Sequence, residues 1–141
     1  MARSSSAVCA VAVLLAGCSA AGYSPYPLDL GHDLPSDAFE RCRDVLLHRF
    51  HALTRSEAST FHLQTDWAPS QDPPGERRAT VYVDPEFAQS LAVVVELRRL
   101  SLPMIGWPGW TSPRGDAAAE RELASALREA LSDPAPVGFM P

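Results

Sequence analysis

The middle of the chain contains three segments whose side chains follow the periodicity of β-strands. Residues 60–67 and 78–84 place apolar residues at every second position, and segment 91–102 begins with the continuous apolar block LAVVV. Alternation predicts strands with one buried face, and the block predicts a central strand covered on both faces. Short connections favour an antiparallel meander. The residues expected on the buried faces of the first two strands are Phe61, Leu63, Thr65, Trp67, Ala79, Val81 and Val83.

Two segments of helical period lie on either side of these strands. The first follows Ser36 and Asp37, either of which can cap a helix, and the second follows Asp116. Cys42 belongs to the first apolar stripe, so we expect a buried and unreactive thiol. The two stripes consist of Phe39, Cys42, Leu46, Phe50 and Leu53, and of Ala119, Leu123, Leu127, Ala130 and Leu131.

These patterns predict the α+β class, with an antiparallel sheet of three to four strands and helices packed on one face, in the order α-β-β-β-(β)-α. The strand in parentheses is segment 103–115, PMIGWPGWTSPRG, whose Pro and Gly residues suit either a long loop or a bent fourth strand. Trp107 and Trp110 lie in this segment. They predict either a surface that binds a partner or a cap over the open end of the core.

The first 17 residues have the pattern of a secretory signal. Arg3 is their only charged residue, and the apolar run at 7–16 is about half of the roughly 20 residues that a membrane-spanning helix needs. At the end of this run, Leu15-Ala16-Gly17-Cys18 resembles the lipobox of bacterial lipoproteins.

The lipobox resemblance implies that lipid, such as palmitate, is attached to the thiol of Cys18. The signal is then cut between Gly17 and Cys18, so that Cys18 becomes the first residue of the mature protein. Several acyl chains anchor a protein stably, whereas one chain alone is marginal. Ser19 follows the cysteine, at the position where Asp marks retention in the inner membrane. The resemblance thus implies a lipid-anchored protein of the cell envelope, at the outer membrane and facing the periplasm.

This interpretation divides the chain into four parts. Between the signal and the first helix, small residues, Pro and Gly without sustained periodicity predict a flexible tether. Tyr23 and Tyr26 in this stretch suit either the membrane interface or an ordinary linker. The predicted parts are the signal peptide 1–17, the lipidated N-terminus and tether 18–35, the α+β domain 36–132 and the Pro-rich tail 133–141.

Charge and cysteine content exclude several classes of function. The formal net charge is -5, which excludes the electrostatic footprint of a nucleic-acid-binding protein, and removal of Arg3 with the signal makes it -6. Cys9 leaves with the signal and Cys18 carries lipid, so Cys42 is the only free thiol left. The mature chain therefore has no pair of cysteines for an internal disulfide and no thiolate zinc site.

No catalytic residue, metal site or cofactor is predicted. His48 and His51 have the spacing of two metal ligands on a helix, but helical geometry places them away from the apolar stripe, which favours histidines that face solvent. Glu120 and Glu122 flank Arg121 and are expected on a solvated helix surface.

Two arginines are candidates for an anion contact. Arg78 and Arg98 belong to the pairs Arg77-Arg78 and Arg98-Arg99, which lie on neighbouring strand segments. These pairs would form an anion site if the strands align, with ordinary edge and surface charges as the alternative.

The domain itself also resembles uncharacterised small envelope lipoproteins of bacteria such as planctomycetes. The matching residues are Thr65-Asp66-Trp67 and the alternating strand from Arg77 to Val83, which follow a helix. This resemblance implies a similar fold. It implies no activity, because none is assigned to that family.

The leading hypothesis is a non-catalytic, lipid-anchored envelope protein that is structural or binds a partner at the periplasmic face of a membrane. Its partners would be the membrane, through Cys18, and another envelope protein. One alternative is a small-ligand or anion-binding module with a pocket between sheet and helices, lined by Arg78, Arg98 and Tyr82. The other is a hydrolase, which needs at least two of His48, His51 and His62 close to a carboxylate.

Overall fold

The computed structural model describes residues 25–84 and 90–132. The predicted signal segment 1–17, Tyr23 and the tail 133–141 lie outside the described residues. The described residues form a mixed α+β structure with a predominantly antiparallel sheet and two helices, which confirms the predicted fold class at that level. Within these residues, no helix has the length and the apolar character needed to cross a membrane.

An antiparallel sheet of seven strands lies at the centre. In chain order, the strands and helices are β1 (Tyr26–Asp29), α1 (Ala38–Phe50), β2 (Leu53–Glu57), β3 (His62–Thr65), β4 (Ala68–Gln71), β5 (Pro74–Val83), β6 (Ser90–Arg98), β7 (Leu100–Ser101), β8 (Gly109–Trp110), β9 (Arg114–Gly115) and α2 (Ala117–Ser132). The sheet order is β1-β6-β5-β3-β2, with β4 also paired to β5 and β9 to β6. The strands β7 and β8 form a separate two-stranded ribbon.

The sheet is larger than the three to four strands predicted. Strand β2, with the sequence LTRSE, lies at one edge and has exposed side chains, so it lacks the alternation that marks a half-buried strand. Strand β4 lies between the alternating segments 60–67 and 78–84, where no strand is predicted, and it forms a hairpin with β5. Segment 103–115 is neither wholly loop nor a single strand, because it contains β8 and β9 with irregular chain between them. Backbone pairing builds these strands without an apolar pattern.

The prediction of a tether over 18–35 is wrong for residues 26–29. These residues form β1, which pairs antiparallel with β6, and the side chain of Leu28 is completely buried. Tyr26 is half-buried and packs against the core, so it is not a plain linker residue. Pro27 suits this place because β1 is an edge strand, where a missing N–H costs no hydrogen bond on the outer side. The sheet thus includes residues that lie about ten positions before the predicted boundary at residue 36.

Both helices pack on one face of the sheet and against each other, as predicted. Asp116 caps α2 as expected, since its carboxylate accepts the backbone N–H of Ala119 at 3.1 Å. Asp37 is the N-cap residue of α1 but makes no capping hydrogen bond, and its carboxylate instead pairs with Arg41. The largest fully buried side chains are Leu28, Leu46, Leu63, Leu91, Leu123, Leu127, Val81, Val93, Val95, Thr65 and Cys42.

A β-bulge separates β3 from β4. Between their paired positions, residues 65–67 stand opposite residues 78–79 of β5, so one strand has an extra residue. The hydroxyl of Thr65 accepts the backbone N–H of Ala79 at 2.9 Å inside this bulge. The extra residue shifts the alternation, and Trp67 therefore lies on the face without helices. The prediction of Trp67 on the core face is wrong for this reason.

Candidate functional site

The predicted site residues fall in two places. Trp107 and Trp110 belong to the segment that contains β7 and β8, and Arg78 and Arg98 lie on the helix-free face of the sheet. Gly17 and Cys18 lie outside the described residues, so lipidation and signal cleavage stay predictions.

Residues 100–110 form a protruding ribbon, which we call the apolar hairpin. Leu100 pairs with Trp110 at its base, where the N–H of Thr111 donates to the carbonyl of Arg99 at 2.8 Å. The hydroxyl of Thr111 in turn accepts the N–H of Arg99 at 2.9 Å. At the tip, Gly106 has a φ of 112°, a conformation that side-chain-bearing residues rarely adopt. Hydrogen bonds thus define the base, and glycine allows the sharp turn.

The tip of the apolar hairpin is exposed. Met104, Ile105 and Trp107 have relative exposures of 104%, 93% and 92%. The expectation that Trp107 caps the core is therefore wrong, while its role in binding a partner stays a prediction. Three large apolar side chains exposed this closely in sequence are uncommon on soluble monomers.

Arg98 connects the apolar hairpin to the sheet. Its guanidinium carbon lies 4.1 Å from the ring centre of Trp67 and 4.4 Å from that of Trp110. The guanidinium therefore contacts one aromatic ring from the sheet and one from the hairpin, both at cation–π distance. Arg78 adds a second contact to Trp67, at 4.6 Å. This stack holds Trp110, which is about half-exposed.

The two arginines predicted to contact an anion are already paired with carboxylates. Arg78 lies 2.7 Å from Glu96, and Arg98 lies 2.6 Å from Glu76. Each pair joins β5 to β6 across the helix-free face. Tyr82 lies on the same face, so a pocket between sheet and helices lined by these residues is not formed, and that expectation is wrong.

A different cleft lies between the sheet and the helices. It has a volume of about 210 Å³ and contains two arginines, which form ion pairs: Arg77 with Asp116 and Arg49 with Glu122. The first pair fixes the N-terminus of α2 against β5. Both arginines therefore form ion pairs that connect neighbouring elements of the fold.

A larger open cleft lies at the base of the apolar hairpin. It has a volume of about 680 Å³ and is lined by Leu97, Arg99, Thr111, Ser112, Arg114 and Gly115. In the described part of the chain, seven arginines form ion pairs, and Arg99 and Arg114 are not among them. The cleft thus presents two uncompensated guanidinium groups and two hydroxyl groups beside the apolar tip.

The histidines are not brought together. His48 and His51 are exposed at the end of α1, on the helix side, whereas His62 stacks on Tyr82 on the opposite face of the sheet. Burial, together with nearby Arg55, lowers the pKa of His62.

The carboxylate nearest to His62 along the sheet already has other partners. Glu57 pairs with His62 across the β2–β3 ladder, and its carboxylate accepts hydrogen bonds from Arg55 and Thr60. Among the described residues, no group of three or more His, Cys, Asp or Glu is placed to hold a metal ion.

Sequence reasoning missed Glu120. We expected it on a solvated surface, but it is 4% exposed, and its carboxylate accepts the backbone N–H of Val95 at 3.2 Å. Burial raises the pKa of Glu120. The N–H of Asp116 donates to the carbonyl of Val95 at 2.8 Å, so α2 satisfies both backbone groups of this residue. The apolar residues near Glu120 in α2 were the only sequence signal that it is buried. The charged neighbours Arg121 and Glu122 favoured a solvated surface instead.

Cys42 is buried as predicted, and desolvation raises its pKa to about 12. A thiol with this pKa is essentially unionised at neutral pH and is therefore a poor nucleophile.

Comparison with known proteins gives no relative: no protein-family model matches the chain, and no curated protein is significantly similar to it.

Proposed function

We propose that this protein is a lipid-anchored, non-catalytic component of the bacterial cell envelope that binds another envelope component through its apolar hairpin. The exposed tip of that hairpin is the observation that carries the proposal. Met104, Ile105 and Trp107 are all exposed, whereas the same fold buries many other apolar side chains in its core. Exposing such side chains is unfavourable in water unless a partner covers them.

The attachment at Cys18 comes from the lipobox resemblance. The tether after it is shorter than expected, since the folded structure includes β1 from Tyr26 onward. A short connection would hold the domain close to the membrane. We place the protein at the outer membrane on its periplasmic side, because Ser19 follows the cysteine.

A hydrolase is less well supported than a binding protein. His62 and the pair His48 and His51 lie on opposite sides of the sheet, so they do not meet the geometric requirement for shared acid–base work. An anion site at Arg78 and Arg98 is also less well supported, because carboxylates already neutralise both groups.

Lipidation is tested by expression of the full chain in a bacterium supplied with radiolabelled palmitate. We expect label on the wild-type chain, accumulation of the larger precursor with globomycin, and loss of label in Cys18→Ser. Cys42→Ser and Cys9→Ser are matched controls and should keep the label. Label that persists in Cys18→Ser would exclude the anchor.

Partner binding is tested by a photoreactive residue at position 105 in the envelope of living cells. We expect a crosslinked product that disappears when Trp107 is changed to Ser. The same probe at position 47, where an exposed leucine of α1 is replaced, is the control. An equal yield at both positions would contradict the assignment of the hairpin as the contact surface.

A further inference from the structure

We infer that the envelope component bound by the apolar hairpin is the lipid bilayer itself, with the tip entering the membrane interface and Arg99 and Arg114 binding headgroup phosphates. This inference rests on the proposed function and names its partner.

The shape of the hairpin favours a membrane over a protein groove. The exposed apolar side chains of Met104, Ile105 and Trp107 follow one another in the part of the hairpin beyond the paired strands β7 and β8. Measured along an extended chain, the tip reaches up to about 16 Å from Arg99. Apolar groups of interfacial segments enter a bilayer by roughly 5–10 Å, and Trp prefers the headgroup level. The projection is long enough for this depth while its base stays outside.

The charges at the base complement a phospholipid surface. Arg99 and Arg114 line one cleft together with the hydroxyl-bearing Thr111 and Ser112. Guanidinium groups bind phosphate oxygens in bidentate fashion, and hydroxyl groups are suitable additional donors. The neighbouring carboxylates do not cancel these charges, because Glu76 and Glu96 are paired with Arg98 and Arg78. An apolar tip followed by a basic collar matches the order of hydrocarbon and phosphate in a lipid leaflet.

The direction of β1 is compatible with a lipid anchor on the same side as the hairpin. Strand β1 is antiparallel to β6, with Tyr26 opposite Val93, so the N-terminal end of β1 points toward the end of β6 where the hairpin emerges. Val93 lies about 17 Å from Arg98 along β6, at 3.3–3.4 Å per residue. The seven residue steps from Cys18 to Pro25 span at most about 25 Å. Cys18 can therefore lie level with Arg99, and both attachments reach one membrane surface.

The test separates the hairpin from the anchor by using the full chain with Cys18→Ser, so that no acyl chain contributes. Vesicles of phosphatidylethanolamine and phosphatidylglycerol, and vesicles of phosphatidylcholine alone, are mixed with this chain and sedimented. We expect binding to both, tighter to the anionic vesicles. Adding Trp107→Ser should lower the coefficient for partition of the chain onto the vesicles about tenfold. Leu47→Ser, at an exposed leucine of α1, is the matched control and should leave it unchanged.

The arginine collar has its own arm. Arg99→Gln and Arg114→Gln should each weaken binding to anionic vesicles by about fivefold and have little effect on neutral ones. Arg128→Gln, at an exposed arginine of α2, is the control. Brominated lipids should quench tryptophan emission in the chain with Cys18→Ser, and the additional change Trp107→Phe should remove most of that quenching while preserving binding.

Absence of vesicle binding, or equal losses in Trp107→Ser and Leu47→Ser, would overturn the inference. Loss of a crosslinked envelope protein in Trp107→Ser, with vesicle binding unchanged, would overturn it in favour of a protein partner. None of these results affects palmitate labelling at Cys18, which is measured separately. Failure of that labelling would instead reject the lipid anchor of the proposed function, and vesicle binding through the hairpin would stand.

Discussion

Glu120 serves as a backbone partner inside the fold. On the edge of β6 that faces away from β5, β1 pairs only as far as Val93 and β9 pairs only from Glu96, so the backbone of β6 between these positions has no partner strand on that edge. The first turns of α2 fill this gap, with Glu120 accepting the N–H of Val95. A buried carboxylate is tolerated here because it satisfies a backbone donor, at the cost of desolvation.

The raised pKa of Glu120 sets the sign of a pH dependence. Between the ordinary glutamate pKa and the raised value in the fold, the native state binds more protons than the unfolded state, so stability falls as pH rises through that window. Glu120→Gln removes the charge and keeps an oxygen acceptor. The free energy of unfolding of Glu120→Gln relative to wild type should therefore increase between pH 4.5 and pH 7.5, as measured by urea unfolding.

Glu120→Leu separates the hydrogen bond from the charge. It leaves the N–H of Val95 without an acceptor and should lower the unfolding free energy at pH 7.5 by about 1–3 kcal/mol. Glu122→Gln, at an exposed neighbour, should change it by less than about 0.5 kcal/mol. A pH profile of Glu120→Gln parallel to that of wild type would show that the carboxylate titrates normally.

At the scale of elements, the apolar hairpin depends on a contact far from it in sequence. Its two strands are short, and an isolated two-stranded hairpin is marginal in water. The guanidinium of Arg98 contacts Trp110 of the hairpin and Trp67 beside the bulge, so the ribbon is held to the sheet by cation–π contacts. The bulge makes this possible, since it turns Trp67 toward the arginines.

Removal of this contact should release the hairpin without unfolding the sheet. We expect Arg98→Ala to lower the unfolding free energy by about 1–2 kcal/mol and to speed amide exchange in β7 and β8, because cation–π contacts contribute roughly 0.5–2 kcal/mol each. The unfolding free energy and the amide exchange rates of Arg98→Lys should lie between those of wild type and Arg98→Ala, since an ammonium group keeps the charge and loses the planar stack. Hydrogen exchange followed by NMR measures both.

Arg99→Ala is the matched control for Arg98→Ala, because Arg99 is adjacent in sequence and exposed. The amide exchange rates of β7 and β8 in Arg99→Ala should equal those of wild type. Equal protection in Arg98→Ala would mean that the backbone hydrogen bonds at the base suffice to hold the hairpin.

At the scale of the whole molecule, β1 closes one edge of the sheet. It covers the outer edge of β6 and contributes Leu28 to the core. Without it, β6 would present unpaired backbone groups along a strand whose side chains are all apolar from residue 91 to 95, which is a template for aggregation. The domain boundary expected from sequence, at residue 36, would remove this strand.

Two truncated chains test the boundary. A chain of residues 25–141 should unfold cooperatively in urea, while 36–141 should lose at least about 3 kcal/mol or aggregate, because it lacks the Leu28 side chain and the strand that covers β6. Size-exclusion chromatography and urea unfolding measure both outcomes. Leu28→Ala in the longer chain reports the side-chain share, at about 2–5 kcal/mol. Equal stability of the two truncated chains would show that β1 is dispensable.

The periodicity of the sequence determined the α+β class, both helices, the cap at Asp116, the burial of Cys42 and the strands β3, β5 and β6. These features follow from local patterns, since a helix stripe or an alternating strand repeats within a few residues. The lipobox resemblance also belongs to a local motif, and lipidation at Cys18 stays a prediction from it.

Only the tertiary structure decided which other segments join the sheet and which charges are buried. Strands β1, β2 and β4 are held by backbone hydrogen bonds to distant partners, and such pairing needs no apolar pattern. Glu120 is buried because, on the edge of β6 that faces away from β5, β1 pairs only as far as Val93 and β9 pairs only from Glu96, which leaves Val95 between them. The one-residue bulge before Trp67 reversed the faces that alternation predicted, because a strand has a period of two. The contact between Arg98 and Trp67 arises from that reversal.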